Sequence, residues 1–453
     1  MSGRSEKRSG VVLVCLALAC TGVSVKAADH AAVFTDEQLI EKVFAITRTY
    51  LQDCQDPNTH VVYLRPLSTK AKWTSPADVK AGKPMPWGYG SGIQDTSLNT
   101  GQLLGAFLAA HQARPDPFLR DHCRNLFKAM QFIYSCTPVP GLVPRGPHPD
   151  DATAVYNDSS MDQHTTFIIS LALYGNSGLA DESETAFIRN ALQEVGERLE
   201  KYGWSIKRAD GETTSHVGFA WTSMVHEHAS ILLPTVMSLY RGTGNQHWLD
   251  VYEQFGAEKD GQRWKLLLPG PHFRINGHPI YANQNCFRLD ALYRFEADPG
   301  RKKIAQDALA YAAKLQLERE YPNEFMIKEV PCDYRKLAEV CGWDGERLHG
   351  CEDAWRRFNP SFFKLPDHKL HANAMLAHLR FPLGGFHMAL LSANREMIEE
   401  HVPSIWAMMN SVGDGADPVA GEIGGEARNL LAIVALHLYA HRFGERRGPE
   451  ARP

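Results

Sequence analysis

The sequence predicts an all-α fold, an (α/α)6 toroid, and three observations carry that expectation. Helix-period segments fill the chain beyond its N-terminus, whereas convincing alternating, strand-like runs are scarce. The helices are of two kinds. One is apolar nearly all round, as in LLGAFLAA (103–110), FIISLALY (167–174), ILLPTVMSLY (231–240) and LLAIVALHLYAH (430–441). The other is amphipathic and charged, as in TDEQLIEKVFAITRTYLQDC (35–54), DESETAFIRNALQEVGERLEKYG (181–203) and RKKIAQDALAYAAKLQLERE (301–320). The first kind must be buried on all sides and the second must face water along one stripe. Finally, most starts of the buried kind lie about sixty residues apart, the length of one helical pair with its turns.

Taken in order, residues 1–27 have the features of an export signal: Arg4, Lys7 and Arg8, then VVLVCLALAC, then Val25-Lys26-Ala27 before Ala28. The apolar stretch is short for a bilayer span, and Cys20 is a poor match to a lipid-attachment site, so a periplasmic or secreted protein is expected. A single domain over 28–445 follows, with a tail at 446–453 expected to be disordered. Outer helices fall near 35–54, 117–135, 183–202, 245–258, 300–318 and 386–410, and inner helices begin near Asp95, Asp162, Val225, Asn283, His371 and Glu426. Residues 60–90 and 204–222, rich in Gly, Pro and aromatics, are expected as rim loops or short hairpins. The long interval holds Cys332, Cys341 and Cys351 in an insertion near 325–365, where a disulfide suits an exported protein. Six helical pairs close a ring; an open solenoid is the competing architecture, but it would not leave one set of helices uniformly apolar.

With 44% hydrophobic and 22% charged residues the chain has enough apolar surface for a large core. A formal charge of -4 with no long basic run argues against nucleic acid and toward a small-molecule or carbohydrate partner. Nothing in the sequence fixes the oligomeric state, and a homo-oligomer stays open.

Inner helices of a toroid all run the same way, so their N-terminal heads meet at one mouth. The heads read GSGIQDTSLNTGQ (90–102), YNDSSMDQH (156–164), WTSMVHEHAS (221–230), YANQNCFR (281–288) and GEIGGEAR (421–428). Asp, Ser and Asn are favoured helix caps, and acids suit the positive end of the macrodipole. A cap, however, needs one residue per helix, and these heads hold several. With Ser159 or Asp158 as the cap, Asp162 falls in the first turn beside Gln163 and His164. Asp95 heads the preceding inner helix, and Glu227 lies between His226 and His228. A carboxyl that donates a proton there needs burial to outweigh the helix terminus.

His226 and His228, two residues apart, do not share a helix face, and the three clustered cysteines contain no CxxC; neither a metal nor a cofactor is expected. Trp87, Tyr89, Trp204, Phe219, Trp221, Tyr281 and Trp343 sit in segments that would rim the mouth, where aromatic faces suit sugar rings. Arg145 and Arg288 are placed to pair with a uronate carboxylate.

Asp95 and Asp162, each leading into an inner helix, and WTSMVHEHASILLPTVMSLYRGTGNQHWLDVYEQF (221–255) together resemble the six-hairpin glycosidase superfamily, most closely its unsaturated glucuronyl and rhamnogalacturonyl hydrolases. Within the last stretch, LYRGTGNQHWL is similar to a hairpin turn common there, whereas VHEHA stands where those hydrolases carry an RGQAW-like segment and Pro234 is expected to interrupt the helix. The resemblance implies the toroid and two catalytic aspartates at successive inner-helix heads, one a proton donor; these fall on Asp95 and Asp162, with Asp158 a close rival.

The expected function is therefore a glycoside hydrolase acting on uronic-acid-containing oligo- or polysaccharide. Asp162, Asp95 and Glu227 form its acid/base set, and Asp158, His164, His226, His228, His216, Trp221, Arg145, Tyr156, Tyr281 and Trp87 contact substrate. One alternative is a polysaccharide lyase using Tyr156, His216 or Tyr281 as base, with Arg145 and Asn157 neutralising the uronate. A second is a non-catalytic carbohydrate-binding toroid.

Overall fold

The computed structural model describes residues 33–83, 92–275, 279–318, 383–411 and 425–444. The export signal, Trp87, the side chain of Tyr281, the three clustered cysteines, the head at His371 and the tail lie outside the described residues. Among the described residues, twelve helices, numbered along the chain, build the ring. They are α1 (Asp36–Cys54), α2 (Thr96–Ala113), α3 (Pro117–Ser135), α4 (Met161–Gly175), α5 (Glu182–Lys201) and α6 (His226–Thr243). There follow α7 (Gln246–Leu267, two helical segments joined by non-helical backbone at Glu258, Lys259, Asp260 and Gly261), α8 (Pro279–Phe295), α9 (Pro299–Leu317), α10 (383–391), α11 (Arg395–Ser411) and α12 (Gly425–Gly444).

The even-numbered helices are the inner set. α12 packs on α2, α2 on α4, α4 on α6 and α6 on α8. His387 of α10 stacks on His437 of α12 with ring centres 5.2 Å apart. Because α12 returns to α2, the ring closes, which excludes the open solenoid and makes the fold an (α/α)6 toroid. The odd-numbered helices pack outside: α1 and α11 on α12, α3 on α2 and α4, α5 on α4 and α6, α7 on α6, and α9 on α8.

Burial follows the sequence pattern. In α4 every residue from Met161 to Ala172 is buried. α3 buries one stripe, Leu119, Cys123, Leu126, Phe127, Ala129, Met130 and Ile133, at the spacing of one helix face. Cys54, Cys123, Cys136 and Cys286 are free thiols, the first two and the last fully buried as small apolar groups.

Two boundaries differ from the expectation. The outer helix expected over 386–410 is two elements, the inner α10 and the outer α11, split at Ser392–Asn394. There Ala393 takes a left-handed φ of 52° and the Asn394 carboxamide accepts from Met397 N. A continuous helical period across this point hid a turn made by an alanine rather than a glycine. Pro234 does not interrupt α6, which runs through it; the Ser238 hydroxyl bonds the Pro234 carbonyl at 2.7 Å.

The connections are unequal, and their inequality identifies the functional end. From an outer helix to the next inner one the chain passes through 55–95, 136–160, 202–225 and 268–278 where both flanking helices are described. From an inner to an outer helix it needs only 114–116, 176–181, 244–245, 296–298 and 392–394. Long connections therefore gather at the inner N-termini, and binding residues concentrate on such loops over a rigid scaffold. The TGN turn within LYRGTGNQHWL lies at the opposite end: Gly244 caps α6 at φ 69° and Asn245 caps α7 by accepting from His247 N. That motif marks a helical hairpin, not a site.

Candidate active site

Outer and inner helices start differently. Thr35, Asp116, Asp181, Asn245 and Asp298 each cap an outer helix through a side-chain oxygen. Asp95, Ser160 and Val225, at the corresponding positions of α2, α4 and α6, make no side-chain cap bond. The expectation that Ser159 or Asp158 caps α4 is thus corrected: Ser160 holds the position, and its hydroxyl has no partner.

At α2 the orphan N–H groups are satisfied from outside the helix. Ser97 N donates to the Arg145 carbonyl at 3.2 Å and Leu98 N to Gln163 Oε1 at 3.1 Å. The Thr96 hydroxyl also donates to the Arg145 carbonyl, at 2.5 Å. This frees the Asp95 carboxylate. Asp95 itself sits at φ 59°, ψ 19°, a left-handed conformation that costs an L-residue about 1–2 kcal/mol and that Asp tolerates better than most. Strain held at a site by its surroundings is a functional mark.

The carboxylate so released accepts from Arg145 Nη1 and from Gln163 Nε2, both at 2.8 Å on Oδ1. Asp162, one position before Gln163 in the first turn of α4, accepts from Arg288 Nη2 of α8 at 3.2 Å. The Arg288 guanidinium is completed by Thr165 Oγ1 at 3.0 Å, Asn285 Oδ1 at 2.6 Å and Gln284 Oε1 at 3.4 Å. Gln163 therefore links the two acids: its backbone neighbours Asp162 and its amide holds Asp95. Both side chains keep about a tenth of their surface open, 11% for Asp95 and 10% for Asp162. Burial raises the Asp162 pKa, Arg288 opposes it, and the nearby Asp95 charge raises it further. Burial thus outweighs the opposing arginines.

Glu227 is exposed in the first turn of α6, within electrostatic reach of Arg288. Asp95, Asp162 and Glu227 thus come from three adjacent inner helices to one mouth.

The other predicted contacts divide. Asp158 is fully buried beneath the acids, accepting from Arg208 Nε at 2.9 Å and from His216 N at 3.2 Å, with Arg145 Nε at 3.9 Å. Burial raises its pKa against the pull of Arg145, the His216 amide and Arg208. It is a support rather than a surface that a sugar can touch. His164 is buried too: its Nε2 accepts from Val143 N at 3.3 Å and its Nδ1 faces the Ser160 carbonyl at 3.1 Å, and burial lowers its pKa to about 4. His226 points inward, Nδ1 on the Leu266 carbonyl at 2.9 Å and ring against Phe273. Trp221 is fully buried, and Tyr156 spends its hydroxyl on the Lys83 carbonyl at 2.9 Å. Trp204, offered as a rim aromatic, packs in the core against Trp248 and Phe255. His216 is half-buried, and His228 is half-buried and stacked on Phe219.

Both guanidiniums available to a uronate, Arg145 and Arg288, are engaged internally by Asp95 and Asp162. Gln163, Gln284 and Arg208 complete the network and stand outside the set chosen from sequence. Gln163 and Gln284 are signalled only by being amides on otherwise apolar inner helices. Among the described residues no three His, Cys, Asp or Glu side chains gather as metal ligands, and no helix is long and apolar enough to cross a membrane.

No family model and no curated protein matches this chain. Among solved structures it is similar to the crystal structure of a family 76 glycoside hydrolase from a bovine Bacteroides thetaiotaomicron strain, at 13% identity and a TM-score of 0.45, covering 90% of this chain and 78% of that one. A likeness at that level assigns no role to any residue of this chain.

Proposed function

We propose that this protein is a glycoside hydrolase acting on uronic-acid-containing oligo- or polysaccharide, with Asp162 as proton donor and Asp95 as the partner carboxylate. The observation that supports it most is a pair of acids at adjacent inner-helix heads, neither spent on capping, each held by its own arginine. Glycosidic cleavage needs one protonated and one ionised carboxyl flanking the bond. Their environments differ in that sense. Asp162 is driven toward its protonated form by burial, while Asp95 accepts two hydrogen bonds on one oxygen. In the forward step Asp162 gives its proton to the departing glycosidic oxygen, and Asp95 stabilises positive charge on the ring or activates the water that replaces the leaving group.

Once Asp162 is protonated, the charge of Arg288 is no longer balanced by it, and the resulting field favours an anionic sugar near the acids. Glu227 is accessible to bind hydroxyl groups across the mouth. Elimination is less well served, since the Tyr156 hydroxyl and Arg145 are both committed inside the protein.

The test is release of product from matched aryl glycosides and oligosaccharides, neutral and uronate, by the wild type and by Asp162→Asn. Loss of a general acid should lower kcat about 10²–10⁴-fold. Full activity in Asp162→Asn overturns the assignment. A rise in ultraviolet absorbance on intact polyuronate, without hydrolysis, makes the enzyme a lyase.

A further inference from the structure

Three large apolar side chains stand out as exposed among the described residues: Phe219 at 40%, Val225 at 46% and Leu268 at 39%. All three belong to one sector of the mouth. Phe219 and Val225 lie on the connection into α6, and Leu268 ends α7. That connection is fastened to α7 by Arg263, whose Nη2 donates to the Thr222 carbonyl at 2.6 Å and Nη1 to the Ser223 carbonyl at 3.3 Å. The end of α7 is fastened to the head of α6 by the His226 contact with the Leu266 carbonyl at 2.9 Å.

Phe219 is held outward by the backbone. Val217, β-branched, adopts φ 51°, a left-handed conformation such residues rarely take. Gly218 follows; its N–H donates to the Ser215 carbonyl and its own carbonyl accepts from Ile206 N, each at 2.9 Å. A side chain at Gly218 would meet the Ile206 carbonyl at 2.6 Å, so the turn is closed on that side. One face of the Phe219 ring rests on His228, centroids 5.4 Å apart and planes 22° from parallel. His228 is held toward its neutral form by burial, so the paired rings carry no fixed charge.

The turn is also tied to the acids. His216 N donates to Asp158, Asp158 lies 3.9 Å from Arg145 Nε, and Arg145 donates to Asp95. From the other side, His228 follows Glu227, which acts on Arg288, which holds Asp162. Phe219 is thus displayed on a loop whose turn is hydrogen-bonded to Asp158, the buried support of Arg145 and Asp95. Sugar rings offer apolar C–H faces that stack on such a surface while their hydroxyls reach nearby acids.

We propose that Phe219, backed by His228, is a carbohydrate-stacking platform that binds a pyranose unit of the chain extending beyond the bond at Asp95 and Asp162. The ligand class rests on the hydrolase reading; the existence of a docking face for a sugar ring is tested separately from turnover.

The measurement has two arms. A microarray of neutral and uronate oligosaccharides probed with Asp162→Asn protein selects the tightest pentasaccharide, whose affinity is then compared by calorimetry for Asp162→Asn with and without Phe219→Ala. A stacked ring contributes about 0.5–1.5 kcal/mol, so affinity should fall about three- to tenfold, and Phe219→Trp should restore it. On an otherwise wild-type chain, Phe219→Ala should raise KM for the pentasaccharide by the same factor, and by more than it changes kcat. Unchanged affinity and KM overturn the platform, as does a change in self-association by sedimentation velocity without a change in sugar binding. No turnover of any substrate combined with Phe219-dependent binding overturns the hydrolase reading and leaves the platform standing.

Discussion

Arg288→Met is the substitution whose consequence is most sharply set by the structure. Arg288 is buried and stands 3.2 Å from the Asp162 carboxylate. At that separation and an effective dielectric constant of about 20, two unit charges attract by about 5 kcal/mol. Removal of the guanidinium takes away the largest interaction that opposes burial, so the Asp162 pKa rises further. If Asp162 must be protonated to act, the alkaline limb of kcat/KM against pH moves upward. A limb that stays in place or moves down refutes the assignment of Asp162 as the acid. Stability changes in a linked way. Losing one member of a buried pair costs about 3–5 kcal/mol at neutral pH, with Thr165, Asn285 and Gln284 losing a donor as well. Because the folded-state pKa of Asp162 lies above its unfolded value, stability is greatest below the unfolded pKa and declines as pH rises through the folded one. Denaturant melts between pH 4 and 8 should therefore show the variant's deficit shrinking on acidification, about as expected for one proton. Arg288→Lys, which keeps the charge, should shift the limb less.

Further outcomes follow from the same contacts. Asp158→Asn should lower stability by about 3 kcal/mol in denaturant melts, since Arg208 and Arg145 lose a buried counter-charge, and should reduce kcat more than it raises KM because Asp158 supports Arg145 rather than touching sugar. Gly146→Ala should be disruptive: an added Cβ would lie 1.6 Å from Thr96 Oγ1, displacing the Arg145 carbonyl that caps α2, so both melting temperature and activity should fall together. Ser160→Ala should change stability by less than about 0.5 kcal/mol, because the hydroxyl bonds nothing, whereas Asp116→Ala, which removes a real cap, should cost about 1 kcal/mol without affecting kcat.

The toroid was legible because burial leaves a direct trace in composition. A helix surrounded by others, such as α4, cannot carry charge along its sides, and one on the outside, such as α5, carries it along one stripe. Asp95 and Asp162 were legible for a related reason, as acids in excess of what a cap requires. The partners of those acids were not. Arg145 and Arg288 lie 50 and 126 positions away from Asp95 and Asp162, and no local pattern encodes a pairing at such range. Nor does composition separate a buried aromatic from a displayed one. Trp221 and Phe219 stand two residues apart in one loop, and the difference between them is the left-handed Val217 and the closed turn at Gly218. His164 was expected to contact ligand because it follows Asp162 closely, yet two positions along a helix are a rotation of about 200°, which turns it from the mouth toward the Val143 amide.

The common polarity of the inner helices sharpens what the mouth is built to hold. Each helix N-terminus carries roughly half a positive charge, and a ring of them directed at one opening would by itself draw carboxylates into their ionised form. The outer helices yield to that tendency by placing Thr35, Asp116 and Asp298 directly on their N–H groups. The inner helices do the opposite. α2 takes its caps from Arg145 and Gln163, and α4 leaves Ser160 unbonded, so neither Asp95 nor Asp162 is consumed by the backbone. Asp162 still ends with a raised pKa, because burial, reinforced by the Asp95 charge, exceeds the pull of Arg288 and Arg145. A protonated Asp162 leaves those positive fields uncancelled. In the proposed activity, a mouth that delivers a proton from Asp162 would also be one whose potential favours an anionic sugar, and its two halves would have a single electrostatic origin.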